Sequence, residues 1–280
     1  TESVGMNATG ATNKSDVSHV KTGQAYLTVD GKRLETLWHG PSPDLAPTLV
    51  FLHEGLGCAQ MWRDFPARLA DATGCGALVY SRLGYGRSEP CRLPRPVRFM
   101  HDEGLRVVPR LLAAAEIQEC ILVGHSDGGS IAIIYAGGTA APQLKGLITE
   151  AAHVFCEELT LASIRRAKAT YEQGDLRNRL TRFHGSNTQC AFQGWNDAWL
   201  HPDFVHWNLE EYLPAITVPM LVIQGEDDPY GTRRQVETIA RQAGAGARVL
   251  MLAGCGHSPH RDQEDTVLEA MQAYIATLLV

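Results

Sequence analysis

Ser126 lies in Gly124-His125-Ser126-Asp127-Gly128, after the apolar run CILV and ahead of the apolar run SIAIIYA. A serine hydroxyl can attack a carbonyl, but at neutral pH it is almost never ionised and needs a base beside it. Imidazole titrates nearest neutrality, and a carboxylate behind it sets its tautomer and stabilises the imidazolium. A bare G-x-S-x-G arises by chance in roughly one chain in ten of this size, so its setting decides. Here the setting is strand, tight turn, helix, which lifts a nucleophile clear of a sheet. Later, PMLVIQG (219–225) leads into Glu226-Asp227-Asp228, and ARVLMLAG (247–254) leads into Cys255-Gly256-His257-Ser258-Pro259-His260. A serine, a carboxylate and a histidine thus follow one another at the ends of strand-like runs. Asp227, Asp228 and Glu150 compete for the carboxylate, and His257 and His260 for the base.

These runs belong to an alternation along the chain. Residues 25–38, AYLTVDGKRLETLW, read as two strands joined at Asp30-Gly31, a strong hairpin signal. TLVFLH (48–53), GALVYS (76–81), CILVGH (120–125) and LKGLITE (144–150) are short and solidly apolar, like strands buried on both faces. Helical spacing recurs in residues 58–74, 103–117, 129–138 and 232–242, and from about Asp262 onward. Pro109 should kink the second of these helices or mark its first turn. The alternation predicts an α/β fold: a mostly parallel sheet with helices on both faces and the hairpin at one edge.

Between the strand ending at Glu150 and the one starting near Pro219, the character changes. This stretch holds Trp195, Trp199 and Trp207, three of the five tryptophans, with His184, His201 and His206. It reads as a helical insertion over the carboxyl ends of the strands, where sites of parallel sheets lie. The tryptophans are either the insertion's own core or an apolar substrate wall. Its basic residues, Arg165, Arg166, Lys168, Arg177, Arg179 and Arg182, form either a solvated face or an attractor for an anionic substrate.

Composition excludes several classes. With 25 basic and 31 acidic side chains, the net charge of −6 offers no general field for nucleic acid. No apolar run approaches ~18 residues, so no membrane span is expected. Residues 1–23 are polar and read as a disordered arm without a secretory signal. Seven cysteines without a C-x-x-C pair suggest reduced thiols and a cytoplasmic setting. Neither His257 with His260 nor His201 with His206 makes a full ligand set, so no metal is expected.

The order Ser126, Asp228, His257 resembles that of the α/β-hydrolase fold family, over roughly residues 25–280. The family's G-x-x-D pattern selects Asp228, because Gly225-Glu226-Asp227-Asp228 has that spacing, and its G-H pattern selects His257. LHEGLG resembles the family's H-G-x-x-G loop, with Glu54 at the usual first glycine, and SRLGYGRS its D-x-x-G-x-G-x-S turn, with Ser81 for Asp. The resemblance implies a core of residues 24–151 and 214–280 and a helical cap of residues 152–213. It also implies a catalytic triad of Ser126, Asp228 and His257, with an oxyanion hole from the amides of Gly55 and Asp127.

The activity implied is hydrolysis of a carboxylic ester, thioester or lactone through an acyl-enzyme, on a small-molecule substrate and without a cofactor. His153, Trp195, Trp199 and Trp207 are candidate substrate contacts. Asp127 bonds to nearby backbone or favours a cationic group on the substrate. Two alternatives share the fold: a hydrolase of carbon–carbon bonds in vinylogous diketones, and a low-turnover ligand sensor. Against the first, His125 stands where those enzymes tend to have Asn, and Ser258 where they tend to have Trp.

Overall fold

The computed structural model describes residues 23–280, so the expected N-terminal arm lies almost wholly outside the described residues. The elements, in chain order, are β1 (Gly23–Val29), β2 (Lys32–His39), β3 (Thr48–Leu52), α1 (Phe65–Thr73), β4 (Gly76–Tyr80), α2 (Phe99–Asp102) and α3 (Val108–Ala114). They continue with β5 (Cys120–His125), α4 (Asp127–Gly138), β6 (Leu144–Glu150), α5 (Glu158–Gln173), α6 (Leu176–His184) and α7 (Thr188–Trp199). The chain closes with β7 (Met220–Gly225), α8 (Arg233–Gln242), β8 (Ala247–Leu252), α9 (Pro259–Asp262) and α10 (Glu264–Leu278).

One eight-stranded sheet runs in the order β1-β2-β4-β3-β5-β6-β7-β8. The first two pairings are antiparallel and the rest parallel, so the hairpin forms one edge, as its sequence predicts. Its turn places both Asp30 and Gly31 at positive φ, 52° and 71°. Alternation along β3 feeds two cores: Leu49 and Phe51 pack with α1 and α10, whereas Val50 and Leu52 face the side of α3 and α4. A parallel sheet buried on both faces explains why its central strands read as unbroken apolar runs.

Two helix expectations change. Residues 58–74 divide into a 3₁₀ turn, Ala59–Trp62, and α1, with Arg63 at φ 55° breaking the helical path between them. Residues 103–117 open with a π-helical turn, Glu103–Val107, joining α2 to α3 just ahead of Pro109. Pro109 has no N–H to offer the preceding turn, so the backbone widens there rather than kinking in mid-helix. Helices α5, α6 and α7 occupy the connection from β6 to β7.

The cysteine expectation needs correction. Cys91, in the segment after β4, and Cys190, on α7, form a disulfide with their Cα atoms 6.4 Å apart. The other five cysteines are free. Ninety-nine residues separate the pair, a distance that spacing rules based on local motifs do not see.

Candidate active site

Ser126 sits where β5 turns into α4, with φ 53° and ψ −117°, a conformation costly for a residue with a Cβ. The turn is that tight because its neighbours lack side chains. A Cβ on Gly128 would collide with the carbonyl oxygen of Leu52 at the end of β3, and one on Gly124 would come within 2.6 Å of the Gly129 Cα. Parallel strands end on the same side, so the segments after β3, β5, β6, β7 and β8 converge around this serine.

Ser126 Oγ lies 2.9 Å from Nε2 of His257, and Nδ1–H of His257 donates to both carboxylate oxygens of Asp228 at 2.9 Å. Asp228 also accepts from the Tyr230 amide at 2.8 Å and from Gln224 Nε2 at 2.9 Å. Burial pushes the Asp228 carboxyl up, but the His257 hydrogen bond and charge, with the Tyr230 amide, hold it below the usual carboxylate range. Burial likewise pulls His257 down, and Asp228 outweighs it, so the imidazole is held above its ordinary value. The arrangement is a hydroxyl aimed at a base whose protonated form is stabilised from behind.

The competing residues are placed elsewhere. Asp227 is exposed. Glu150 is buried at the end of β6, accepts from the backbone amide and Nδ1 of His260 at 2.8 Å each, and so makes a second acid–imidazole pair. His125 donates from Nε2 to the carbonyl of His257 at 2.6 Å, which steadies the loop carrying the base. Glu54, His125 and His257 each offer a donor atom within 4.8 Å of the others. A metal there would have to draw His257 away from Ser126 or Asp228, so these residues suit proton transfer better than ligation.

Gly55 and Asp127 both border a cavity of about 50 Å³ that opens onto Ser126. The Asp127 side chain is buried, and its two oxygens accept from the Trp199 indole N–H at 3.2 and 3.4 Å. Burial outweighs the nearby Arg82 charge and this hydrogen bond, and its pKa rises to about 6. Of the candidate substrate contacts, His153, Trp195 and Trp199 border the same cavity. Trp207 does not: it is buried, and its ring packs against that of Trp199, with centroids 5.5 Å apart, and stacks on that of Phe204.

Sequence reading missed the buried Arg82. Its guanidinium donates to the carbonyls of His53 at 2.5 Å and Glu54 at 3.1 Å, the two residues ahead of Gly55. Its backbone amide donates to Nε2 of His53 at 3.0 Å, while Nδ1–H of His53 donates to the Glu54 carbonyl at 2.7 Å. The loop after β3 is thereby pinned at both carbonyls. A charged residue set directly after the apolar run GALVYS was the available signal. Tyr230, whose ring centroid lies 4.6 Å from that of His257, and Glu54 complete the walls near the base.

Comparison with known proteins agrees with this architecture. Residues 49–270 match the family described as "Alpha/beta hydrolase family". A proline iminopeptidase of Lactobacillus helveticus is 24% identical, over 90% of this chain and 94% of its own. A 2-succinyl-6-hydroxy-2,4-cyclohexadiene-1-carboxylate synthase of Salmonella enteritidis is also 24% identical, over 83% of this chain and 95% of its own. Among solved structures, a bacterial membrane phospholipase A superposes with a TM-score of 0.75 at 18% identity, covering 91% of this chain and 86% of that one. By the extent of the family match, which spans most of the chain, the chain belongs to the alpha/beta hydrolase family.

Proposed function

We propose that the protein is a serine hydrolase that cleaves a carboxylic ester, or a related thioester or lactone, through an acyl-enzyme. The observation that carries the reading is the unbroken hydrogen-bond chain Ser126–His257–Asp228. Ser126 attacks the carbonyl as His257 takes its proton, and Asp228 holds the imidazolium. The amides of Gly55 and Asp127 receive the oxyanion, and His257 then returns the proton to the leaving oxygen or sulfur. Water activated by His257 releases the acid and regenerates Ser126. Residues 152–213 act as a cap that places Trp195 and Trp199 over the nucleophile.

Hydrolysis of an ester needs no proton delivery to carbon, and the Nε2–H groups of the two histidines nearest His257 are bonded elsewhere, that of His125 to the His257 carbonyl and that of His153 to the Tyr230 carbonyl at 2.8 Å. The test is a serine-directed phosphonate together with turnover of a short-chain aryl ester. Labelling should fall on Ser126, and Ser126→Ala should lower kcat by roughly 10⁴-fold or more while the fold persists. Labelling elsewhere, or retained turnover in that variant, would remove Ser126 from the mechanism. A slow burst near one equivalent would favour a sensor instead.

A further inference from the structure

Next to the nucleophile's cavity lies a larger one of about 470 Å³, and Glu54 and Leu56 border both. Leu180 and Phe183 of α6 line it with Trp62, giving it apolar walls between the core and the helical insertion. Its charged lining is one-sided. Arg63, Arg179, Arg182 and Arg261 all border it, against the single carboxylate of Glu54. These arginines come from three separate segments of a chain whose net charge is −6, so their convergence is not a reflection of overall composition. Arg179 and Arg261 reach a carboxylate only at 3.8 Å, Asp175 and Asp262 respectively. The guanidinium groups of Arg63 and Arg182 make no hydrogen bond or ion pair among the described residues and remain available to a ligand.

The cavity around Ser126, about 50 Å³, is much the smaller of the two, the neighbouring one being about 470 Å³. The part of a substrate beyond its reacting carbonyl finds more room in the larger cavity, which adjoins past Leu56 and Glu54. Guanidinium groups bind carboxylates through paired N–H donors, and an aliphatic or aromatic stem suits the apolar walls. Glu54 between the two cavities repels an anion from the nucleophile and so sets which end of the substrate faces Ser126. We propose that the larger cavity is a carboxylate-binding subsite, and that the preferred substrates are acyl compounds bearing a carboxylate on the part directed away from Ser126. This rests on the acyl-transfer reading above.

The test compares matched pairs of esters. On the acyl side, p-nitrophenyl hydrogen glutarate is set against p-nitrophenyl pentanoate; on the leaving side, the butyrate of 4-hydroxybenzoate is set against phenyl butyrate. Rates are normalised to alkaline hydrolysis. One carboxylate ester should exceed its neutral match at least tenfold in kcat/KM at low ionic strength, and that preference should shrink in about 0.5 M salt as screening shortens the field. Exposed guanidinium groups contribute roughly up to fivefold each. The ratio of anionic to neutral kcat/KM should therefore fall about tenfold in the Arg63→Gln/Arg182→Gln variant. No preference in either pair, or a preference that survives the double substitution, overturns the subsite.

If no ester is turned over, calorimetric binding of the two carboxylate esters to the Ser126→Ala protein decides. Salt-sensitive binding that weakens about tenfold when Arg63→Gln and Arg182→Gln are added supports the subsite and leaves only the acyl-transfer reading at fault. Absence of binding overturns the subsite.

Discussion

Asp228 and Glu150 are buried carboxylates at the ends of adjacent strands, and each holds an imidazole, yet only Asp228 holds the one that reaches Ser126. Asp228→Asn should therefore cost roughly 10⁴ in kcat by mis-setting the His257 tautomer, while Glu150→Gln should be mild in kcat and read out as lost stability. Steady-state kinetics of the two variants beside their urea midpoints checks both halves. The base must be neutral to act, so kcat/KM should rise with pH through an inflection above the ordinary histidine value of 6.5. Asp127 makes a different prediction. Its folded pKa of about 6 is raised above the ordinary 3.8, so the native state binds the proton more tightly than the unfolded chain does. The resulting stabilisation is complete below the unfolded value and is lost as pH rises toward and through about 6. Asp127→Asn keeps an acceptor for Trp199 and removes that dependence. Relative to the wild type, the variant should gain on the order of 1–3 kcal/mol between about pH 4 and pH 7, measured by urea unfolding.

At the scale of elements, the site depends on how closely α4 approaches the end of β3. The Gly128 Cα lies so near the Leu52 carbonyl that any side chain must displace one element from the other. Gly128→Ala should lower stability by about 3 kcal/mol or more and lose activity even where the protein folds, because the shift moves Ser126 relative to the loop carrying Gly55. Thermal melts with phosphonate labelling of the folded fraction separate the two effects. The helical insertion is held to the core by polar links as well as apolar ones. His184, at the end of α6, donates from Nε2 to the Leu56 carbonyl at 2.8 Å and accepts from the Gly86 amide at Nδ1 at 2.9 Å. Burial keeps this imidazole below its ordinary value, so the neutral form that can accept from Gly86 persists into mildly acidic solution.

Across the whole molecule, the Cys91–Cys190 disulfide ties the segment after β4 to α7. Denaturation without reductant should expose five alkylatable thiols of the seven cysteines, and reduction should restore all seven. Because the bridge closes a long loop, Cys91→Ser/Cys190→Ser should lower stability by about 2–4 kcal/mol, read from denaturant midpoints. A count of seven free thiols before reduction would show the pair to be open in solution.

Local pattern was enough for the parallel sheet, the edge hairpin, the helical stretch between β6 and β7, and the strand-end positions of Ser126, Asp228 and His257. Burial on both faces, turn chemistry and close backbone approach all leave marks within a few residues. The rest depends on residues brought together from far apart in the chain. The G-x-x-D spacing marks Asp228, but that Glu150 holds a second imidazole, His260, becomes visible only with the loop after β8 folded back over the end of β7. Trp199 lines the cavity, whereas Trp207 packs against the Trp199 indole. Arg82 pins carbonyls 28 and 29 residues before it, and Cys91 finds a partner 99 residues on. Such pairings follow from the path of the chain through the sheet order, and only the folded backbone carries that information.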